Sequence, residues 1–280
     1  MDIVFVTDRN QLVGMLAAMN SVIQNCRRDR GLRFSIVSDA DSHADVLHHT
    51  NHLFGQANVN VRVVAFHPPA FLQENIRVNR GGRLSNLMNY TRFYLHQVLP
   101  DLDKIIYLDA DVIVQGDIVE LWSRAKLDQH IIACIPSAVG SYDYMGSFYR
   151  DAASLAHIDH DERFFNAGVY VTRLQGWEEQ RILSQLEHWM VLHKNDPKGF
   201  FELGTQPLLN LVFYQDYEHL PPEWNVTGLG DQGPATLAKT TLEAAKILHW
   251  KGSHKPWLPN GYFKELWNPY DLLGVNRSNA

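Results

Sequence analysis

Cysteine is nearly absent, with only Cys26 and Cys134 among 280 residues. Two are too few for a disulfide framework or a thiolate zinc site. They could pair, but two ordinary buried thiols is the preferred reading. Positive charge is scarce as well: 25 Lys+Arg face 31 Asp+Glu, a formal net charge of -6. With no basic run, the chain lacks the electrostatic footprint of a nucleic-acid binder. Long apolar runs are missing, and nothing approaches the roughly 18 residues that a membrane span needs. The opening Met1-Asp2-Ile3-Val4-Phe5-Val6 has no basic stretch and reads as a strand rather than a secretory leader. No Gly-x-Gly-x-x-Gly follows it, and there is no Walker Gly-Lys-Ser/Thr loop or Gly-x-Ser-x-Gly elbow. Dinucleotide oxidoreductase, P-loop and serine-hydrolase chemistry are therefore disfavoured. What is present, 45% hydrophobic and 20% charged residues, is ordinary globular usage. The 14 histidines are numerous, and most need no functional explanation.

Strand-like and helix-like patterns alternate along the first part of the chain. Ile3 to Val6 is a β-branched run closed by Thr7-Asp8-Arg9-Asn10, and Leu12 to Cys26 follows at helical spacing. Its apolar face is Met15, Ala18, Met19 and Val22. Arg33 to Asp39 and Asn60 to Phe66 read as strands around a helix from Ala44 to Phe54. After Gly81-Gly82, Asn86 to Leu99 reads as a helix, and Lys104 to Leu108 as a strand running into Asp109 to Val114. Ile131 to Ile135 and Phe164 to Thr172 are further strands, and Glu178 to His193 is helical. Ser137 to Arg163 reads as a loop with a short helix, and Leu203 to Tyr214 as a helix or buried run. Lys194 to Gly199 reads as a turn, and the Gly-rich Val226 to Ala235 as mobile. Such alternation predicts an α/β fold: a mostly parallel, Rossmann-like sheet flanked by helices, with right-handed crossovers. No linker or repeat divides it, so 1–280 reads as one domain. In such sheets ligands bind beyond the carboxyl ends of the strands.

Asp109-Ala110-Asp111 is the strongest chemical signal. A buried strand ending in two carboxylates is costly unless something neutralises them. Residues i and i+2 of an extended chain face the same way, so both can reach one cation. Mg²⁺ or Mn²⁺ suits hard oxygen ligands completed by substrate phosphates. The competing reading is a strand-end Asp that caps the next turn. In His249-Trp250-Lys251-Gly252-Ser253-His254-Lys255-Pro256-Trp257, His249 could add an imidazole ligand, while Gly252 and Lys255 could meet a phosphate. A core histidine and a surface lysine is the alternative. Phe165-Asn166-Ala167-Gly168 would let a sugar ring approach closely, or mark a bulge. Arg92 is either a ligand-contacting guanidinium or a surface charge.

These motifs, in this order, resemble glycosyltransferase family 8, from Asp2 to about Trp257. Asp111 to Ile118, Pro207 to Gln215 and Ala244 to Trp250 further resemble its animal glycosyltransferase-8-domain-containing members. The resemblance implies the single-domain GT-A fold, with a nucleotide-binding half about 1–115 and a donor/acceptor half about 116–280. It implies a retaining hexosyltransferase that uses a UDP-sugar and acts on a hydroxyl of a glycan or glycoprotein. Thr7, Asp8 and Asn10 would line the uridine pocket. Asp109, Asp111 and His249 would hold Mn²⁺ or Mg²⁺, with Ala110 between the carboxylates against the donor. Gly252 and Lys255 would bind phosphate, and Arg92, Asn166, Ala167 and Gly168 would line the donor sugar. Gln206, with Asp109 and Lys255, would carry catalysis. A Golgi-lumen location is implied for the animal members, or the cytoplasm for a soluble relative. Asn89, Asn225 and Asn276 head possible glycosylation sequons.

The chain departs from the bacterial galactosyltransferases of this family at Pro136, and at Thr205 and Pro207 around Gln206, where they carry Asp. Donor choice is therefore not transferred from them. With no carboxylate nucleophile evident near Gln206, a front-face route, in which the leaving phosphate takes the acceptor proton, fits better than a covalent intermediate. The competing functions are a UDP-sugar-binding protein that no longer transfers and a metal-dependent phosphohydrolase.

Overall fold

A computed structural model describes residues 1–276 except 28–30, 77–85, 138–143, 148, 151–152, 202–203, 232 and 234–235. The opening run forms β1 (Asp2–Thr7), followed by α1 (Leu12–Asn25), β2 (Arg33–Ser38), α2 (His43–Phe54) and β3 (Asn60–Ala65). These strands lie parallel, with Val4 opposite Ser35 and Ser35 opposite Arg62. The face expected on α1, Met15, Ala18, Met19 and Val22, is fully buried. α3 (Ala70–Asn75) comes next.

The stretch expected as one helix from Asn86 to Leu99 is instead a 3₁₀ helix, Leu87–Phe93, followed by the short α4 (Leu95–Val98). Aromatic and β-branched residues lose rotamer freedom in an α-helix. The backbone here closes tighter bonds, with Asn89 N–H donating to Asn86 O at 3.0 Å and Tyr94 N–H to Thr91 O at 2.9 Å. Gly81-Gly82 lies outside the described residues. β4 (Lys104–Leu108) ends at Leu108 rather than running on. The chain turns through Ala110 and Asp111, and β5 (Val112–Val114) enters a separate ribbon.

The remaining elements are α5 (Ile118–Arg124), β6 (Ile132–Pro136), β7 (Phe165–Arg173), α6 (Leu174–Glu179), α7 (Ile182–Asn195), α8 (Thr205–Val212), β8 (Glu218–His219), α9 (Lys239–Ala244), β9 (Ile247–His249) and α10 (Lys264–Trp267). The helix expected from Glu178 to His193 breaks between α6 and α7, because Arg181 adopts a left-handed conformation with φ 54. Lys194 and Asn195 close α7, so the expected turn begins at Asp196. Within 137–163 the described residues form two short 3₁₀ turns, Met145–Ser147 and Ala153–Leu155. Val226 to Gly230, expected to be mobile, is buried and bridged to the β9 region at Leu248 and Gly252.

The seven-stranded sheet runs β3-β2-β1-β4-β7-β6-β8, and β5 pairs with β9. Only β7 runs antiparallel to its neighbours, so the expected mostly parallel α/β sheet is observed. Alternation sorts the core. Val4, Tyr107, Cys134 and Tyr170 face one layer, and Ile3, Phe5, Ile106, Leu108 and Val171 the other. Cys26 and Cys134 are both buried and form no disulfide. No helix among the described residues is long and apolar enough to cross a membrane.

α1 also supports the ribbon. Ser21 Oγ accepts from Val114 N–H at 2.9 Å, and Asn25 Nδ2 donates to Val114 O at 2.8 Å. The edge of β5 away from β9 is thereby satisfied. Close contact depends on Gly14: a Cβ there would lie 2.4 Å from the Trp257 ring and 2.5 Å from Ala110 O. Gly14→Ala in an open helix would add about 1 kcal/mol of stability. Here it is expected to cost about 1–3 kcal/mol through overpacking. Urea denaturation followed by circular dichroism measures this, and a raised midpoint would contradict the packing.

Candidate active site

The site grows out of two strand pairings that end at the same place. At the end of β4, Asp109 N–H donates to Gly168 O on β7 at 2.8 Å. In the ribbon, Val112 lies opposite His249, and Trp250 N–H donates to Asp111 O at 2.9 Å. The two carboxylates thus project toward an imidazole that arrives from far along the chain. His249 Nε2 is 3.3 Å from Asp111 Oδ1 and 4.0 Å from Asp109 Oδ2. One ligand atom from each of the three residues lies within 4.8 Å of the others. Two carboxylate oxygens and an imidazole nitrogen are a donor set suited to Mn²⁺ or Mg²⁺.

Two basic residues neutralise this acid pair. Asp109 Oδ1 accepts from Arg92 Nη2 at 2.8 Å and from the Tyr107 hydroxyl at 2.9 Å. Arg92 is buried, which excludes the surface-charge reading, and its Nη1 donates to Ala167 O at 2.8 Å. Its guanidinium lies 4.9 Å from the centre of the Tyr107 ring. Burial alone would depress Arg92, but Asp109, with Tyr107 and Tyr170, raises it above its ordinary value. Asp111 pairs with Lys255, whose Nζ also donates to Trp250 O at 2.6 Å. Burial alone would raise the Asp111 carboxyl, yet Lys255 and His249 hold it well below the ordinary range. Lys255, expected at a phosphate, is thus on Asp111 and buried.

Side-chain amides form the opposite wall. Gln206 Oε1, on the first turn of α8, accepts from Asn166 Nδ2 at 2.9 Å and from Ala167 N–H at 3.1 Å. Asn210, one turn on, locks α8 to β7: Phe165 N–H donates to its Oδ1 at 2.8 Å, and its Nδ2 donates to Phe165 O at 2.9 Å. Asn166 Oδ1 accepts from Gly168 N–H at 2.9 Å and from Asn225 Nδ2 at 3.1 Å. Asn225 in turn faces His249 Nδ1 at 2.9 Å. Sequence reasoning marked Asn225 only as a sequon, but at 7% exposure and bonded on both sides it is no glycosylation acceptor. It missed Tyr107 and Asn210 too, since only the strand pairing and the helix docking bring them to the site.

Thr7, Asp8 and Asn10 lie one strand over, at the end of β1. Asp8 Oδ1 accepts from Asn10 N–H at 2.9 Å and Gln11 N–H at 3.0 Å, and Oδ2 from Asn86 Nδ2 at 2.8 Å. Thr7 is buried and Asn10 exposed. Gly252 has φ 102 and lies against Gly230, whose oxygen would be 2.6 Å from an added Cβ. Glycine is required there on both counts.

Gly168 does something its sequence context did not show. A Cβ there would lie 2.3 Å from His249 Cε1 and 2.7 Å from Asp109 Oδ2, so the missing side chain is the space the two ligands occupy. Gly168→Ala is expected to separate them and weaken Mn²⁺ binding about 10–100-fold, with the fold retained. Titration by the electron paramagnetic resonance of free Mn²⁺ reads this, and unchanged binding would count against the cluster as a metal site.

Comparison with known proteins places this geometry. The pattern described as "Glycosyl transferase family 8" matches residues 2–261. Glycosyltransferase 8 domain-containing protein 2 of Homo sapiens is 32% identical over 288 residues, covering 94% of this chain and 80% of the relative. Glycosyltransferase 8 domain-containing protein 1 of Danio rerio is 30% identical over 278 residues, covering 93% and 74%. Among solved structures, the galactosyltransferase LgtC in complex with donor and acceptor sugar analogues superposes with TM-score 0.70 at 20% identity, covering 97% of this chain and 95% of that one. Mouse xyloside xylosyltransferase 1 superposes with TM-score 0.60 at 17% identity, covering 89% and 97%. The fold is that of the GT-A glycosyltransferases, and the chain belongs to glycosyltransferase family 8.

Proposed function

We propose that this glycosyltransferase moves a hexose or related sugar from a UDP-sugar to a hydroxyl acceptor, with retention at the anomeric carbon. The observation that carries this is the Asp109–Asp111–His249 cluster, closed on one side by Lys255 and on the other by the Gln206–Asn166 pair. Asp109, Asp111 and His249 would hold Mn²⁺ or Mg²⁺, which when bound supplies Lewis-acid stabilisation to a departing diphosphate. Lys255 is placed to share that negative charge, and Gly252, exposed on the side away from Gly230, would let phosphate approach. Thr7, Asp8 and Asn10, beyond the carboxyl end of β1, are the proposed uridine contacts.

Gln206 gives the reading its stereochemical content. Its Oε1 already accepts from two donors, which leaves its NH₂ to meet the substrate. A carbonyl oxygen so engaged is a poor nucleophile. A hydrogen-bond donor facing the sugar suits a front-face displacement, in which the leaving phosphate oxygen takes the acceptor's proton. Arg92, held on Asp109 and Ala167, would orient the donor-sugar wall formed by Asn166, Ala167 and Gly168.

The acceptor would enter through a cavity of about 410 Å³ that borders Asn166 and Asn225. Pro136, which stands where bacterial relatives carry Asp, lines it with Ile135, Val226 and Ala244. An apolar wall at that place favours an acceptor that presents an apolar face beside its hydroxyl. Val226 and Thr227, at the start of the Gly-rich segment, line this cavity, whereas Phe200 and Phe201, which follow the turn after α7, are buried in the core. A glycan or glycoprotein acceptor and a Golgi-lumen setting complete the proposal, by likeness to the animal members.

Proton NMR of the protein with Mn²⁺-free Mg²⁺ and a panel of UDP-sugars tests this. Slow background hydrolysis of one donor should release the α-anomer from an α-linked sugar, and Asp109→Ala should abolish it. Release of the β-anomer would overturn retention. A metal-dependent broadening of UDP signals without consumption of any donor, acceptor present, would favour the binding-protein reading. Gln206→Ala is expected to lower kcat about 10²-fold while leaving UDP affinity within about twofold. An unchanged rate would remove Gln206 from the mechanism.

A further inference from the structure

Hydrogen-bond direction around His249 is fixed by groups whose roles are not interchangeable. Backbone N–H groups only donate, and two of them anchor a chain of side-chain amides. Ala167 N–H donates to Gln206 Oε1 at 3.1 Å, so the Asn166 group 2.9 Å from that oxygen is its NH₂. Gly168 N–H donates to Asn166 Oδ1 at 2.9 Å, which fixes the same amide from its other end. The Asn225 group 3.1 Å from Asn166 Oδ1 is therefore NH₂ as well, and its oxygen faces His249 Nδ1 at 2.9 Å. An amide oxygen only accepts, so Nδ1 carries a hydrogen. Nε2 is thus the nitrogen that faces the Asp109 and Asp111 carboxylates, and the one whose lone pair a cation held between them would take.

We infer that Asn225 is a positioning residue that holds His249 in the Nδ1–H tautomer, as the last member of a relay Gln206–Asn166–Asn225–His249. The relay joins the residue facing the sugar to the ligand facing the cation. Its consequence for metal binding rests on the cation site proposed above, whereas the tautomer does not.

A purely architectural role for Asn225 does not account for its side chain. Val226 N–H donates to Ile247 O, and His249 N–H to Val226 O, each at 2.9 Å, so the backbone already ties this segment to β9. The side chain is spare for the ring. Water is no substitute either, because Asn225 is 7% and His249 1% exposed. Partners that orient a ligating histidine typically change metal affinity about 10–100-fold when removed.

The test uses two variants that separate the functions of the amide. Asn225→Leu can neither accept from His249 nor donate to Asn166, whereas Asn225→Asp still accepts from His249. The whole protein, metal-free and with ¹⁵N-labelled histidine, is examined at about pH 8.5, where free imidazole is neutral. Long-range ¹H–¹⁵N correlation reads the tautomer, with the His249 signals assigned by their loss in His249→Gln. Parent and Asn225→Asp should show Nδ1–H, and Asn225→Leu a mixture or the reverse. Mn²⁺ titrated by electron paramagnetic resonance should bind Asn225→Leu about 10–100-fold more weakly than the parent, and Asn225→Asp within about threefold. Weaker binding by Asn225→Leu with the tautomer unchanged would overturn the inference, as would unchanged binding and tautomer. If Asn225→Leu does not fold, an altered tautomer in Asn225→Asp would overturn it. A parent that binds no Mn²⁺ would instead defeat the cation reading, and the tautomer comparison would still decide the relay.

Discussion

Two carboxylates on one turn, Asp109 and Asp111, create the electrostatic problem around which the site is built. At an effective dielectric of about 20, two like charges about 5 Å apart repel by roughly 3 kcal/mol. That is a large share of a typical folding free energy, so the turn is viable only with positive charge beside it. Arg92 and Lys255 supply that charge, each with a second anchor on a backbone carbonyl, Ala167 O and Trp250 O. They differ in kind. The Arg92 guanidinium is a rigid fork held on both branches, and Lys255 is a point charge at the end of a flexible stem. The first suits permanent positioning of Asp109. In the proposed reaction the second would yield Asp111 to a divalent cation and turn to a phosphate.

The same turn is where two separate hydrogen-bonded systems meet. Asp109 is tied through its N–H to β7 in the main sheet, and Asp111 through its C=O to the β5–β9 ribbon. Their separation is therefore set by how the ribbon docks on the sheet, and α1 controls that docking. Its Ser21 and Asn25 satisfy both backbone groups of Val114, and Gly14 lets it lie against Ala110 O. A stiff carboxylate pair needs both layers in place, which is how packing far from any substrate can govern chemistry at the turn.

Much of this was legible in the residues. Period-two alternation in β1, β4 and β7 matches the two buried faces, and the apolar face of α1 falls where its spacing put it. Asp109, Asp111 and His249 meet as their residue types suggested. Less visible was anything that depends on register between distant strands. Nothing in Trp224-Asn225 distinguishes a relay from a sequon until Val226 bridges to Leu248. Gly168 reads as room for a sugar until β4 and β9 place Asp109 and His249 over it. Local conformations that defeat a regular pattern were hidden as well. Arg181 breaks a helix by adopting a left-handed conformation, and the aromatic stretch before Leu95 winds as 3₁₀ rather than α. In both, backbone hydrogen bonding outweighs apolar periodicity.

Charge balance also explains why amides can replace carboxylates on the proposed donor-sugar wall. Asp109 and Asp111 against Arg92 and Lys255 are two formal charges of each sign, so the four side chains sum to zero. In the proposed reaction a divalent cation and a doubly charged diphosphate enter together and leave that balance unchanged. A further Asp at the place of Pro136 or Thr205 would add uncompensated negative charge to a partly buried site, and would require its own donors. In the proposed reaction Asn166 and Gln206 would read hydroxyls without that burden, but an amide works only if each end is assigned. The backbone N–H groups of Ala167 and Gly168 make that assignment, so the donors and acceptors presented to a sugar are set by the start of β7. Removal of the carboxylates is thus compatible with an intact site, provided the amide chain stays oriented from end to end.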